Sequence, residues 1–185
     1  DQTRKGMVNH AMISFTDLMP TILEWTGTRL PPKYEIHGRS FLPILEQENP
    51  AGWDAVYFSH TFHEVTMYYP SRGIRTRKFK YINNLAHELP FPFASDLYRS
   101  ATWQGVLESK RGPYWKYGQR RLRDFLHRPA EELYDLENDP DEVKNLARSR
   151  KYSDVLAELR EKTLAFRKNT QDPWLILNNY REPGE

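Results

Sequence analysis

Apolar and polar positions alternate with period two in one stretch of the chain above all. Phe79, Tyr81 and Ile82 interleave with Lys80 and Asn83, a half-buried strand pattern. Gly73-Ile74-Arg75-Thr76 precedes it at hairpin spacing. Upstream, Val56-Tyr57-Phe58 is apolar and then breaks into a polar segment carrying His60, His63 and Glu64. The pattern predicts a strand that delivers a His-Glu pair to its end and returns along a sheet edge. The remaining strand signals are Ala11–Phe15 and Glu132–Leu136, the latter closed by the turn chemistry of Asn138-Asp139-Pro140.

Helical spacing is clearest at Tyr152–Lys168, where Leu156, Leu159, Thr163 and Phe166 line one face opposite charged residues. A second helix is expected over Asp17–Thr26. Thr16 stands at its cap, Leu18, Ile22 and Trp25 fall at helical spacing, and Gly27 stops it. Weaker patterns predict a helix over Asp96–Leu107, a short helix around Leu122, Phe125 and Leu126, a turn at Phe41–Leu45 and a helical turn at Asp141–Asn145. Two prolines in 86–94 exclude a ladder there and predict an extended crossing. The last ten residues read as a docking tail or frayed end. The first 50 residues carry too little apolar surface to fold alone, so residues 1–52 are expected to be the end of a preceding domain and 53–185 a second one.

Composition narrows the chemistry. The 185 residues carry 27 Lys and Arg against 25 Asp and Glu, too balanced for a dedicated nucleic-acid binder. Cysteine is absent, which excludes a disulfide framework, a thiolate metal site and a cysteine nucleophile within these residues. No apolar run reaches the roughly 18 residues needed to span a bilayer, and the first ten residues have no signal-peptide core. They read as entry into a longer chain.

His63 and Glu64 are the leading site candidates, because an imidazole beside a carboxylate at a strand end can hydrogen-bond sugar hydroxyls or an amine. A solvated surface pair fits the same residues equally well. His60 is a weaker candidate. The run Arg72, Arg75, Arg77, Lys78 and Lys80 fits attraction of a polyanion, but fits better the outward face of an edge hairpin, with Arg72 the exception that reaches the site. Phe91, Phe93, Trp103, Tyr114, Trp115 and Tyr117 suit sugar stacking less well than a small aromatic core. His87, Glu88 and His127 lack metal-ligand spacing, and Asp135, Asp139 and Asp141 lack the glycine and terminal glutamate of a calcium loop.

Four segments occur in a telling order: DLMPTILEWTG (17–27), GRSFLPIL (38–45), GIRTRKFKYI (73–82) and ELYDLENDPDEVKNLA (132–147). Together they resemble the C-terminal third of the sulfatases of the alkaline-phosphatase-like superfamily. HEVTMYYPSR (63–72), PFPF (90–93) and DPW (172–174) are similar to the heparan N-sulfatase (sulfamidase, N-sulfoglucosamine sulfohydrolase) branch. The resemblance implies an α+β fold: the tail of an α/β sulfatase domain, then a four-stranded antiparallel sheet with a long C-terminal helix packed on it. It implies that His63 and Glu64 lie at the pocket for a sulfated saccharide; His60, where the match is loose, and Arg72, which follows the loop directly, are the further substrate-binding candidates. It also implies export to a periplasm, lysosome or exterior. Such enzymes use calcium and a formylglycine made within a C/S-x-P-S-R motif, and no such motif occurs here. Both are therefore expected in a missing N-terminal catalytic domain, and this chain alone is expected to be inactive, with no catalytic residue or metal of its own. An exposed apolar face on the first 50 residues would then give self-association. The alternative is a non-catalytic module that binds anionic glycans through the basic hairpin and aromatic loops.

Overall fold

In the computed structural model, residues 6–29, 33–109 and 115–176 are described. They fall into two units, 1–57 and 58–185. In the first, Phe15–Asp17 forms a 3₁₀ turn that runs into helix α1, Leu18–Thr26. The Asp17 carboxylate accepts the backbone N–H of Ser14 (2.9 Å) and of Arg39 (2.9 Å), so it fixes the helix start and the 33–40 loop together. The N-cap position is thus Asp17, one residue later than Thr16, although its side chain bonds Ser14 and Arg39 rather than an N–H of α1. Gly27 ends the helix at φ 66°, where a side chain would be strained. The expected strand at Ala11–Phe15 does not form. Met12 donates to the Trp53 carbonyl (2.8 Å), but no ladder follows and residues 7–14 stay irregular. Arg39 stacks on Trp53 at 3.7 Å.

Helix α1 leaves its apolar stripe uncovered. Phe15 is 91% exposed, Trp25 76% and Ile22 53%, with Leu18 and Met19 beside them. These positions follow i, i+3, i+4, i+7 spacing, so they form one face.

The second unit is built on a sheet of order β1-β2-β3-β6, with β1 Ala55–His60, β2 Ser71–Thr76, β3 Phe79–Asn84 and β6 Glu131–Asp135. β2–β3 and β3–β6 are antiparallel. The register aligns Ile74, Tyr81 and Leu133 in one cross-strand row, each at most 1% exposed. Each such side chain contributes about 1.5–3 kcal/mol by burial. The row of Arg72, Asn83 and Glu131 lies on the same face, since side chains two apart share a face. Helix α5, Ser153–Asn169, packs on this face with Leu156, Leu159 and Thr163 buried. Arg160 grips Glu131 through two bonds (2.7 and 2.8 Å), and the Tyr81 hydroxyl donates to the same carboxylate (2.7 Å). The bonds from Arg160 hold the Glu131 carboxyl below its ordinary range against the opposing effect of burial. The opposite face carries Asn84, Glu132 and Tyr134, joined by hydrogen bonds from the Asn84 amide (2.7 Å) and the Tyr134 hydroxyl to the Glu132 carboxylate.

The hairpin forms where the period-two pattern places it, but β2 and β3 are the central strands, not an edge. Its cations are therefore not edge guards. Arg72 pairs with Asp172 (2.9 Å), Lys78 with Glu137 (2.9 Å) and Lys80 with Glu142 (2.8 Å). The helix expected over Asp96–Leu107 is two: α2, Ser95–Arg99, and α3, Ala101–Glu108. Ser100 breaks them with an extended backbone, and its hydroxyl caps α3 by accepting from Trp103 N. A two-residue hairpin, β4 Lys116–Tyr117 and β5 Arg120–Arg121, precedes α4, Leu122–Leu126, and escaped the sequence reading. The helical turn expected at Asp141–Asn145 is a series of turns with Glu142 at φ 53°. Tyr114 and most of the last ten residues lie outside the described residues.

Candidate functional site

β1 ends at His60 and β2 begins at Ser71, so residues 61–70 form a loop between two sheet strands. Its base is stitched shut. Tyr69 N–H donates to the Thr61 carbonyl (2.8 Å), His60 Nδ1 lies 2.9 Å from the Tyr69 carbonyl, and Leu85 N–H reaches the Pro70 carbonyl (2.9 Å). Tyr69 itself is fully buried and edge-on to Phe91 at 5.1 Å. Burial pushes its phenol up to about 12, so it stays neutral at any ordinary pH. Its hydroxyl has no hydrogen-bond partner among the described residues.

The crown of the loop is exposed. His63 stands there between Phe62, 63% exposed, and Val65, 99% exposed. Glu64 is half-buried because its carboxylate accepts from the backbone N–H of Ser95 (3.2 Å to each oxygen) and from its hydroxyl (3.2 Å). The crown is thereby tied to the start of α2. A turn bond from Met67 N–H to the Glu64 carbonyl (2.9 Å) tightens it further.

The four candidate residues thus occupy two levels. His63 and Glu64 sit in the crown, where a ligand can reach them. His60 and Arg72 sit at the base, joined by a bond from Arg72 Nη1 to the His60 carbonyl (2.9 Å). Arg72 also donates to the Ser71 carbonyl (2.8 Å) and forks onto Asp172 through Nε (3.0 Å) and Nη2 (2.9 Å). Both side chains are under a tenth exposed. Arg167, 2% exposed, donates to the same carboxylate from Nε (2.8 Å). Burial acts to raise the Asp172 carboxyl, but the bonds from Arg72 and Arg167 outweigh it and hold the group below its ordinary range. Asp172, Arg167 and Trp174 were missed as partners of this site. In the sequence the DPW segment stands only as a family signature, and a bond across 100 residues leaves no local pattern.

Phe91, Phe93, Trp103 and Phe125 form a packed aromatic cluster, with Arg128 over Phe91 at 3.8 Å and over Phe125 at 5.1 Å. Their rings are core to this unit. The described residues line surface hollows as well. One, about 340 Å³ between the sheet and α5, is lined by Tyr81, Asn83, Glu131, Arg160 and Arg167. Another, about 380 Å³, is lined by Asp135, Asp139, Lys144 and Lys151. Among the described residues no three His, Cys, Asp or Glu side chains converge on one point. No described helix is long and apolar enough to cross a membrane.

Comparison with known proteins extends the geometry. Residues 1–91 match the family "N-sulphoglucosamine sulphohydrolase, C-terminal". Human N-sulphoglucosamine sulphohydrolase is 38% identical over 179 residues, covering 93% of this chain and 35% of that protein. An ulvan-active sulfatase of Formosa agariphila is 30% identical over 158 residues, covering 84% of this chain and 29% of its own length. A solved 2-O GAG sulfatase superposes with a TM-score of 0.55 at 24% identity, over 87% of this chain and 26% of that one, which shows a shared fold. The chain therefore spans about a third of the length of the curated relatives it matches. With the four-stranded sheet, the long helix on its face and this run of similarity, the chain is similar to the C-terminal region of sulfatases, N-sulphoglucosamine sulphohydrolase among them.

Proposed function

We propose that this chain is the C-terminal part of a longer sulfatase that removes sulfate from an N-sulfoglucosamine-type saccharide, and that the 61–70 loop closes and shapes the substrate pocket. The observation that carries this reading is a loop fastened at its base that presents His63 and Glu64 at an exposed crown. The similarity to N-sulphoglucosamine sulphohydrolase supports the substrate class. An imidazole and a carboxylate on a pinned loop can orient sugar hydroxyls or a glucosamine nitrogen without reorganising on binding. His60 supports them from the base, and Arg72 acts from beneath the loop. The calcium and formylglycine that sulfatases use belong, in this reading, to the part of the enzyme preceding these residues, and the protein works in an exported compartment.

The test is kinetic. In the protein produced at its native length, His63→Ala should raise KM for an oligosaccharide ending in N-sulfoglucosamine by about tenfold or more, the worth of one hydrogen bond involving a charged group. A KM equal to that of the unaltered enzyme for His63→Ala and for Glu64→Ala would remove the loop from the substrate site.

The uncovered stripe of α1 supports the same reading, since Phe15, Ile22 and Trp25 on one face exceed what a lone surface helix exposes. We propose that the preceding catalytic domain covers it. The isolated 185 residues should then self-associate, and Ile22→Lys with Trp25→Lys should restore a monomer by sedimentation. A monodisperse monomer of the unaltered chain would count against a covered face.

A further inference from the structure

We infer that Trp174, on the turn that follows α5, is a positioning residue for the 61–70 loop. This rests on the reading of that loop as the saccharide-facing element. The chain leaves α5 through a sharp reversal. Gln171 takes a left-handed φ of 50°, its N–H bonds the Lys168 carbonyl (3.2 Å), and Asp172 N–H bonds the Arg167 carbonyl (2.9 Å). This double-bonded helix stop usually uses glycine. It turns Asp172 and Trp174 back toward the sheet, where the first 3₁₀ turn after α5, Pro173–Ile176, follows.

Two ties then run from this turn to the two ends of the loop. At the first end, Asp172 holds Arg72, whose Nη1 holds the His60 carbonyl and, at 3.4 Å, the Thr61 hydroxyl. At the second, the Trp174 indole N–H donates to the Tyr68 hydroxyl (3.1 Å), next to Tyr69 at the loop's exit. The Trp174 ring lies 5.1 Å from the Arg72 guanidinium, so one side chain touches both ties. Trp174 is itself locked. Its N–H donates to Asp172 Oδ1 (3.1 Å) and its carbonyl accepts from Arg167 Nη2 (2.7 Å). A turn with so many internal bonds, spent on contacts to a loop 100 residues away in sequence, sets where the crown stands. It does so without touching a ligand.

The experiment uses Trp174→Phe in the native-length protein, which keeps an aromatic ring over Arg72 and removes the indole N–H. Two substrates are compared, an oligosaccharide ending in N-sulfoglucosamine and a small aryl sulfate that does not extend to the crown. The expected result is a KM about fivefold higher on the oligosaccharide, the size of one neutral hydrogen bond. Its kcat, the aryl sulfate kinetics and the thermal midpoint should stay unchanged. The Tyr69 amide, bonded to Thr61, should exchange with solvent about tenfold faster. An unchanged KM for Trp174→Phe in a preparation where His63→Ala raises it overturns the positioning role and leaves the loop's function standing. No change for either variant overturns both. A parallel loss on both substrates with a lowered midpoint means a structural residue only, and also overturns the inference.

Discussion

Asp172→Ala is expected to cost the protein about 3–5 kcal/mol, because it leaves two buried guanidiniums facing each other with no carboxylate between them. Arg72 and Arg167 are 7% and 2% exposed, so water cannot replace the lost partner. The four bonds that Asp172 accepts, from Arg72 Nε and Nη2, Arg167 Nε and Trp174 N–H, vanish together. The pH dependence follows from the direction of its pKa. A carboxyl held below its ordinary value stabilises the fold fully above that value, and the contribution is lost as pH falls through the lower folded value. The stability gap between the unaltered protein and Asp172→Ala, measured by urea denaturation, should therefore be the same at pH 7 and pH 5. It should shrink only below about pH 4, where free carboxyls protonate. A gap that closed between pH 7 and 5 would mean that a histidine governs the cluster. The unaltered protein would thus keep this anchor in a mildly acidic compartment.

The elements readable beforehand were those whose signal is local. The β2–β3 hairpin follows from strict alternation, α5 from one apolar face and α1 from a start signal and Gly27. The break at Ser100 was missed because a serine fits helix interior and cap alike, and only its hydroxyl's choice of Trp103 N–H decides. Ala11–Phe15 has strand composition but finds no neighbouring strand, so composition alone misled. The candidate site divides the same way. His63 and Glu64 were visible as a polar break in an apolar run. That Glu64 fastens Ser95, or that Arg72 serves Asp172, depends on chain crossings that no local pattern encodes. The basic run misled for a related reason. Its partners Glu137, Glu142 and Asp172 come from three later turns, so the run is largely neutralised from afar.

Gly73→Ala should destabilise the second unit by about 3 kcal/mol, at the upper end of what overpacking costs. A methyl group there would overlap the Phe58 ring and stand 2.5 Å from the Tyr81 carbonyl oxygen. The ring can turn aside, but the carbonyl belongs to the central β2–β3 ladder, where Gly73 sits opposite Ile82 and Ile74 opposite Tyr81. Relief therefore requires the two central strands to part, next to the row of Ile74, Tyr81 and Leu133 that α5 covers. The positive control is another glycine. Gly105 lies in α3 with no atom within 4 Å of an added Cβ, so Gly105→Ala should stabilise by about 0.5–1 kcal/mol through helix propensity alone. Chemical denaturation of both variants separates the two causes. If Gly73→Ala were as stable as the unaltered protein, β2 and β3 could not lie as close at this point as the register requires. Because β2 begins only two residues earlier, at the foot of the 61–70 loop, the same substitution should also loosen the loop's base, and the Tyr69 amide should report it by faster exchange.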